Sequence, residues 1–141
     1  MSRVQLALNV TDLEAAIGFY SALFGVEPAK VRPGYANFAV ADPPLKLVLI
    51  EGASGGTLNH LGVQVEGTEQ VAEASTRLAE AGLATDDRAG ETCCYAVQDK
   101  VWVQDPDRAP WEIYTVLEDA DQLAPDRGEA VPAAAGVTGC C

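Results

Sequence analysis

Positive charge is scarce in this chain: 9 Lys and Arg stand against 21 Asp and Glu, a formal net charge of −12. That deficit argues against nucleic acid and anionic membrane surfaces as partners, since both require basic patches. It repels anionic substrates wherever no local cation intervenes, and it leaves a neutral small molecule unpenalised. Long apolar runs are missing too. The start, MSRVQLALNVTDLE, carries no signal-like stretch, and nothing in the sequence approaches a membrane span. A cytoplasmic protein with reduced thiols is therefore expected. Histidine occurs once, at His60, and cysteine only as two adjacent doublets, Cys93-Cys94 and Cys140-Cys141. Neighbouring cysteines close a strained ring, so they make poor structural disulfides. A larger thiophilic atom such as trivalent arsenic, antimony or cadmium bridges two such sulfurs with less strain, and soft thiolates select soft ions. The plain alternative is a pair of half-buried strand residues.

What is present is a globular composition of one-domain length, and within it a motif written twice. The segment from Val4 to Val10 alternates in period two, and so does the segment from Asn59 to Val65. Overlaid, Gln5 falls on His60 and Asn9 on Gln64. An amphipathic helix follows each strand: Asp12 to Phe24, capped by Asp12 or Thr11 and stopped by Gly25, and Thr68 to Ala81, ending at Gly82. Short strands then complete each half, at Tyr35 to Val40 and Leu45 to Ile50, and at Tyr95 to Val97, Val101 to Gln104 and Trp111 to Val116. The expected fold class is α+β, with tandem βαβββ modules forming a curved mixed sheet around a metal cleft. Module one spans 3–51 and module two 57–118 within a domain of residues 1–118. Residues 119–141 read as a flexible acidic, Ala-, Pro- and Gly-rich tail ending in Cys140-Cys141.

Three polar side chains belong on the inner faces. Gln5 and His60 are equivalent in the repeat and should face one cleft. On the last strand Glu112 shares a face with Tyr114, and a carboxylate between Trp111 and Ile113 in mid-sheet is costly unless paired or bound to metal. Gln5, His60 and Glu112 together form a variant of the facial triad that leaves coordination positions open on iron(II). With Gln in place of one His, manganese, nickel, cobalt and zinc stay open as alternatives. Gln64 and Tyr114 would support the ligands from behind, or simply line the sheet. Lys100 is read as a surface residue, and Asp87 to Thr92, with Gly90, as a loop able to carry the thiols over the metal.

The stretches NVTDLEAAIGFYSALFGVEP, NHLGVQV, TCCYAVQDKVWVQDPD and WEIYTV resemble the carbon–arsenic lyases and cadmium-induced proteins of the vicinal oxygen chelate superfamily, which includes glyoxalase I, extradiol dioxygenases and bleomycin-resistance proteins. The resemblance covers about residues 3 to 118, and TCCYAVQDK is its most specific part. It implies an iron(II)- and dioxygen-dependent enzyme that demethylates or dearylates trivalent organoarsenicals to arsenite. On it, the metal ligands fall on Gln5, His60 and Glu112, and the arsenic-binding, catalytic thiols on Cys93 and Cys94. Many relatives carry His where Gln5 stands. The partner expected is a small trivalent organoarsenical, with no nucleic acid or membrane, and the assembly a monomer or homodimer. A rival reading is a thiol-based protein that sequesters As(III), Sb(III) or Cd(II) without turnover. A glyoxalase-like isomerase or drug-binding module ranks last, because its fourth metal ligand would fall near Lys46 or Leu47, which cannot serve.

Overall fold

A computed structural model describes residues 2–121 and 123; Cys140, Cys141 and most of the expected tail lie outside them. Ten elements follow in order: β1 (Arg3–Val10), α1 (Leu13–Phe24), β2 (Lys30–Arg32), β3 (Tyr35–Val40), β4 (Leu45–Glu51), β5 (Thr57–Gln64), α2 (Thr68–Glu80), β6 (Asp86–Cys93), β7 (Ala96–Gln104) and β8 (Pro110–Asp119). This is the tandem βαβββ order, in a mixed sheet where β1 and β4 run parallel beside antiparallel pairs such as β3–β4 and β7–β8, and the expected fold class holds. The chain divides into two compact units within β5, after Leu61.

In Arg3–Leu61 the strands lie in the order β2-β3-β4-β1-β5. β1 runs parallel to β4, with Gln5 opposite Lys46, and β3 pairs antiparallel with β4. Alternation on β1 separates two jobs. Leu6, Leu8 and Val10 turn to one side and pack with Leu13, Ile17, Tyr20 and Phe24 of α1 against Phe38, Leu47 and Leu49. Gln5, Ala7 and Asn9 turn to the other side, away from the helix. Helix α1 starts where Asp12 accepts a hydrogen bond from the Ala15 amide and stops at Gly25, whose φ of 67° a residue without a Cβ adopts at least cost.

In the second unit the order is β5-β8-β7-β6, and α2 covers the core through Val71 and Ala74, packed with Val101 and Ile113. Among the described residues no helix is long and apolar enough to cross a membrane.

Three local expectations are corrected here. Asp87 to Thr92 is no loop: it lies within β6, paired with β7 and interrupted by a bulge between Arg88 and Glu91. Arg88 braces that bulge, reaching Asp86 at 2.7 Å and Glu91 at 3.1 Å. Burial acts to lower the pKa of the Arg88 guanidinium, but the two carboxylates outweigh it and hold the pKa above its ordinary value. The two short strands read at Tyr95–Val97 and Val101–Gln104 are one strand, β7, beginning at Ala96. Lys100 is not on the surface but almost fully buried.

Candidate functional site

The first unit brings Gln5 and His60 together, as the repeat predicted. Both are buried mid-strand, and the Gln5 amide nitrogen lies 3.0 Å from His60 Nε2. The other ring nitrogen, Nδ1, is 2.7 Å from Asn59 Oδ1. An amide N–H needs an acceptor, so Gln5 donates and His60 Nε2 accepts. Neighbouring strands β1 and β5 present these side chains to one another because both strands alternate in the same phase.

The second unit holds Glu112, 3% exposed, on β8. Its Oε2 is 2.8 Å from Lys100 Nζ on β7, and both side chains are buried. Register explains the meeting. Trp102 stands opposite Glu112 and Lys100 opposite Tyr114, so Lys100 and Glu112 are diagonal neighbours on one face. The same lysine sits 5.4 Å from the centre of the Trp102 ring. Tyr114 is fully buried on this face, while Gln64 is half-buried at the end of β5. Among the described residues no group of three or more His, Cys, Asp and Glu gathers in one place.

Cys93 and Cys94 sit at the tip of the β6–β7 hairpin. Cys93 pairs with Ala96, so the turn has two central residues, Cys94 and Tyr95. Both have positive φ, 53° and 58°, the condition of a type I′ turn, which strands of right-handed twist favour and which Asn-Gly fills most easily. A cysteine and a tyrosine held there carry strain of about 1–3 kcal/mol each, and such strain gathers at functional sites. The segment after β8 pins the turn: the Cys94 amide donates to the Leu123 carbonyl at 2.7 Å, and the Ala120 amide to the Tyr95 carbonyl at 2.9 Å.

The two sulfurs are buried and 3.8 Å apart. That gap is far beyond a disulfide bond of ~2.05 Å, so the doublet is not closed on itself. Neither cysteine is a free thiol in this structure, in contrast to the reduced pair expected. Gln98, buried on β7, donates from Nε2 to the Cys93 carbonyl at 3.0 Å. Among the described residues its Oε1 is buried without a hydrogen-bond partner.

Sequence reasoning missed Lys100 and Gln98 as members of this site. Period two was the available signal, since residues 98, 100 and 102 share one phase on a strand that reads as continuous. An open cavity of about 200 Å³ between α2 and β6–β7, lined by Thr68, Val71, Arg88, Asp99 and Lys100, includes none of Gln5, His60, Glu112, Cys93 and Cys94.

A family profile described as the Glyoxalase/Bleomycin resistance protein/Dioxygenase superfamily matches residues 3–113. The chain is 67% identical over 126 residues to a trivalent organoarsenical cleaving enzyme of Thermomonospora curvata, covering 88% of this chain and 83% of that one. It is 65% identical over 122 residues to a cadmium-induced protein of Mycobacterium bovis, covering 86% and 80%. The Mn(II)-bound glyoxalase from Novosphingobium aromaticivorans matches with a TM-score of 0.62 at 17% identity, over 86% of this chain and 42% of that chain, a likeness of fold alone.

Proposed function

The chain belongs to the glyoxalase/bleomycin resistance protein/dioxygenase superfamily, and from that membership we propose that it cleaves the carbon–arsenic bond of trivalent organoarsenicals such as methylarsenite. The observation that carries this reading is the buried Cys93–Cys94 doublet on a strained two-residue turn, in a chain closely similar to an organoarsenical cleaving enzyme.

In the reduced protein, Cys93 and Cys94 take the arsenic as a dithiolate: each S–As bond replaces an As–OH bond, and the thiol proton leaves with that hydroxyl as water. Two attachments on one rigid turn remove the freedom of the carbon–arsenic bond, which is catalysis by positioning. The buried carbonyl of Gln98 offers an acceptor for a hydroxyl on the arriving arsenic. Methylarsenite is uncharged near neutral pH, so the acidic surface does not exclude it.

Gln5, His60 and Glu112 are the residues that would hold iron(II), and their chemistry fits it: a neutral imidazole, an amide oxygen and a carboxylate make a mixed N/O set suited to a non-haem iron. A carboxylate has about four lone-pair sites over its two oxygens, and Lys100 meets Glu112 at Oε2. When bound, the metal supplies activation of dioxygen. CH3As(OH)2 and dioxygen together contain the atoms of As(OH)3 and formaldehyde, so turnover needs no additional reductant.

A second reading is sequestration of As(III), Sb(III) or Cd(II) by the thiols without turnover. Similarity to a cadmium-induced protein and the engagement of Glu112 by Lys100 favour it. One experiment separates the two. Dioxygen uptake by reduced, anaerobically iron(II)-loaded protein is followed on adding methylarsenite, with arsenic speciation of the product. Uptake with arsenite release establishes the lyase; tight arsenic binding with no oxygen consumed establishes the sequestering protein.

A further inference from the structure

Four hydrogen bonds lead away from His60 within Arg3–Leu61. His60 Nδ1 is 2.7 Å from Asn59 Oδ1. Asn59 Nδ2 donates to Asn9 Oδ1 at 3.0 Å, and Asn9 Nδ2 donates to Thr57 Oγ1 at 2.9 Å. The Thr57 hydroxyl donates to the Ser54 carbonyl at 2.5 Å. The chain thus starts at a backbone carbonyl in the β4–β5 connection and ends on the only histidine.

Its direction is forced. A carbonyl can only accept, so the single Thr57 proton goes to Ser54 and the hydroxyl keeps only lone pairs for Asn9. Asn9 must then present its NH2 to Thr57 and its oxygen to Asn59. Asn59 in turn presents its NH2 to Asn9 and its oxygen to His60. An oxygen facing Nδ1 requires a proton on Nδ1, and a neutral imidazole has only one N–H, so Nε2 carries the lone pair. The Gln5 amide agrees with this assignment, since its NH2 meets Nε2 at 3.0 Å and needs an acceptor there.

We propose that Asn59, Asn9 and Thr57 are positioning residues that lock His60 in the Nδ1–H tautomer, so that Nε2 is the atom offered to a metal. A ligating imidazole is ordinarily held by a hydrogen bond from its other nitrogen to an oxygen acceptor, which fixes ring orientation and raises basicity. Here that acceptor is itself oriented from a distance by a backbone carbonyl. Ligation at Nε2 requires Gln5 to give up its hydrogen bond to that atom, and the same amide carries the oxygen expected to join the metal. The metal-positioning role rests on the proposed function; the tautomer does not.

The test uses the full chain, metal-free and 15N-labelled, at about pH 8.5, well above the ordinary imidazole pKa of ~6.5. With a single histidine, the long-range 1H–15N spectrum needs no assignment. The wild type and Thr57→Ser should show the Nδ1–H pattern. Thr57→Val, at an exposed position where misfolding is not expected, and Asn59→Leu should shift it toward Nε2–H. Cobalt(II) affinity should fall about 10–100-fold in Asn59→Leu, fall less in Thr57→Val, and be retained in Thr57→Ser. An Nε2–H wild type, or a tautomer unmoved by both disruptive variants, overturns the proposal. A tautomer shift with unchanged cobalt(II) affinity overturns the positioning role. Failure of the lyase reading shows instead as no oxygen uptake by the wild type, with its tautomer intact.

Discussion

Lys100 Nζ and Glu112 Oε2 meet at 2.8 Å with both side chains out of solvent, so each is the other's compensation for burial. Removing one partner takes an opposite charge away from a buried group, which typically costs about 3–5 kcal/mol, whereas removing both takes both charges away. Lys100→Met and Glu112→Leu should each be strongly destabilising, and the double variant much less so than their sum. Urea unfolding of the four proteins of the cycle measures this. Additive losses would mean that the pair is not the unit that matters.

Cys93→Ser and Cys94→Ser should each abolish stoichiometric capture of methylarsenite by the reduced protein while leaving iron(II) or cobalt(II) binding unchanged. Mass spectrometry of the arsenic adduct and a metal titration give the two readouts. Loss of metal binding in either variant would sink the division of labour between thiols and Gln5, His60 and Glu112. Pentavalent methylarsonate, without a lone pair on arsenic, should fail to label even the wild type.

Glycine should act oppositely at the two cysteines. Cys94 sits at φ 53°, where a side chain costs about 1–2 kcal/mol, so Cys94→Gly under reducing conditions should leave stability unchanged or raise it by up to about 1 kcal/mol. Cys93 lies in β6, fully buried, and Cys93→Gly should lose about 1 kcal/mol or more from strand entropy and lost burial. Thermal melts of the two variants check the contrast. Equal losses would show that the turn is not strained.

Two other glycines should also differ in sign. A Cβ on Gly55 would lie 2.7 Å from the Thr11 backbone nitrogen, so Gly55→Ala should cost about 1–3 kcal/mol through overpacking. Gly18, inside α1, has open space around its missing Cβ, and Gly18→Ala should gain about 0.5–1 kcal/mol. Urea midpoints settle both signs.

Much of this fold could be read from residue order because local preference and tertiary demand agree in it. Period-two alternation on β1 and β5, with the internal overlay, places Gln5 beside His60, and Asp12 and Gly25 mark the ends of α1 as they stand. β6 was illegible for a physical reason. DDRAGETC has neither β-branched density nor alternation, and it is a strand because β7 offers it a partner and Arg88 braces its bulge. Lys100 was misread because a lone lysine suggests solvent; only the register across β7 and β8 reveals the carboxylate that keeps it inside. Asn9 and Asn59 left a signal that went unused, since asparagine is depleted in strands and two of them in paired strands suggest side-chain bonding.

The turn of Cys94 and Tyr95 has a consequence for descent. Gln5, His60 and Glu112 stand in mid-strand, where any change of phase disturbs a whole register, while the doublet occupies a hairpin tip that ties down no other strand. Hairpin tips are the part of a sheet most easily rewritten. A lineage can therefore acquire an appetite for soft elements, or shed it, by editing a few codons at one tip, and keep the ancestral strands for other chemistry.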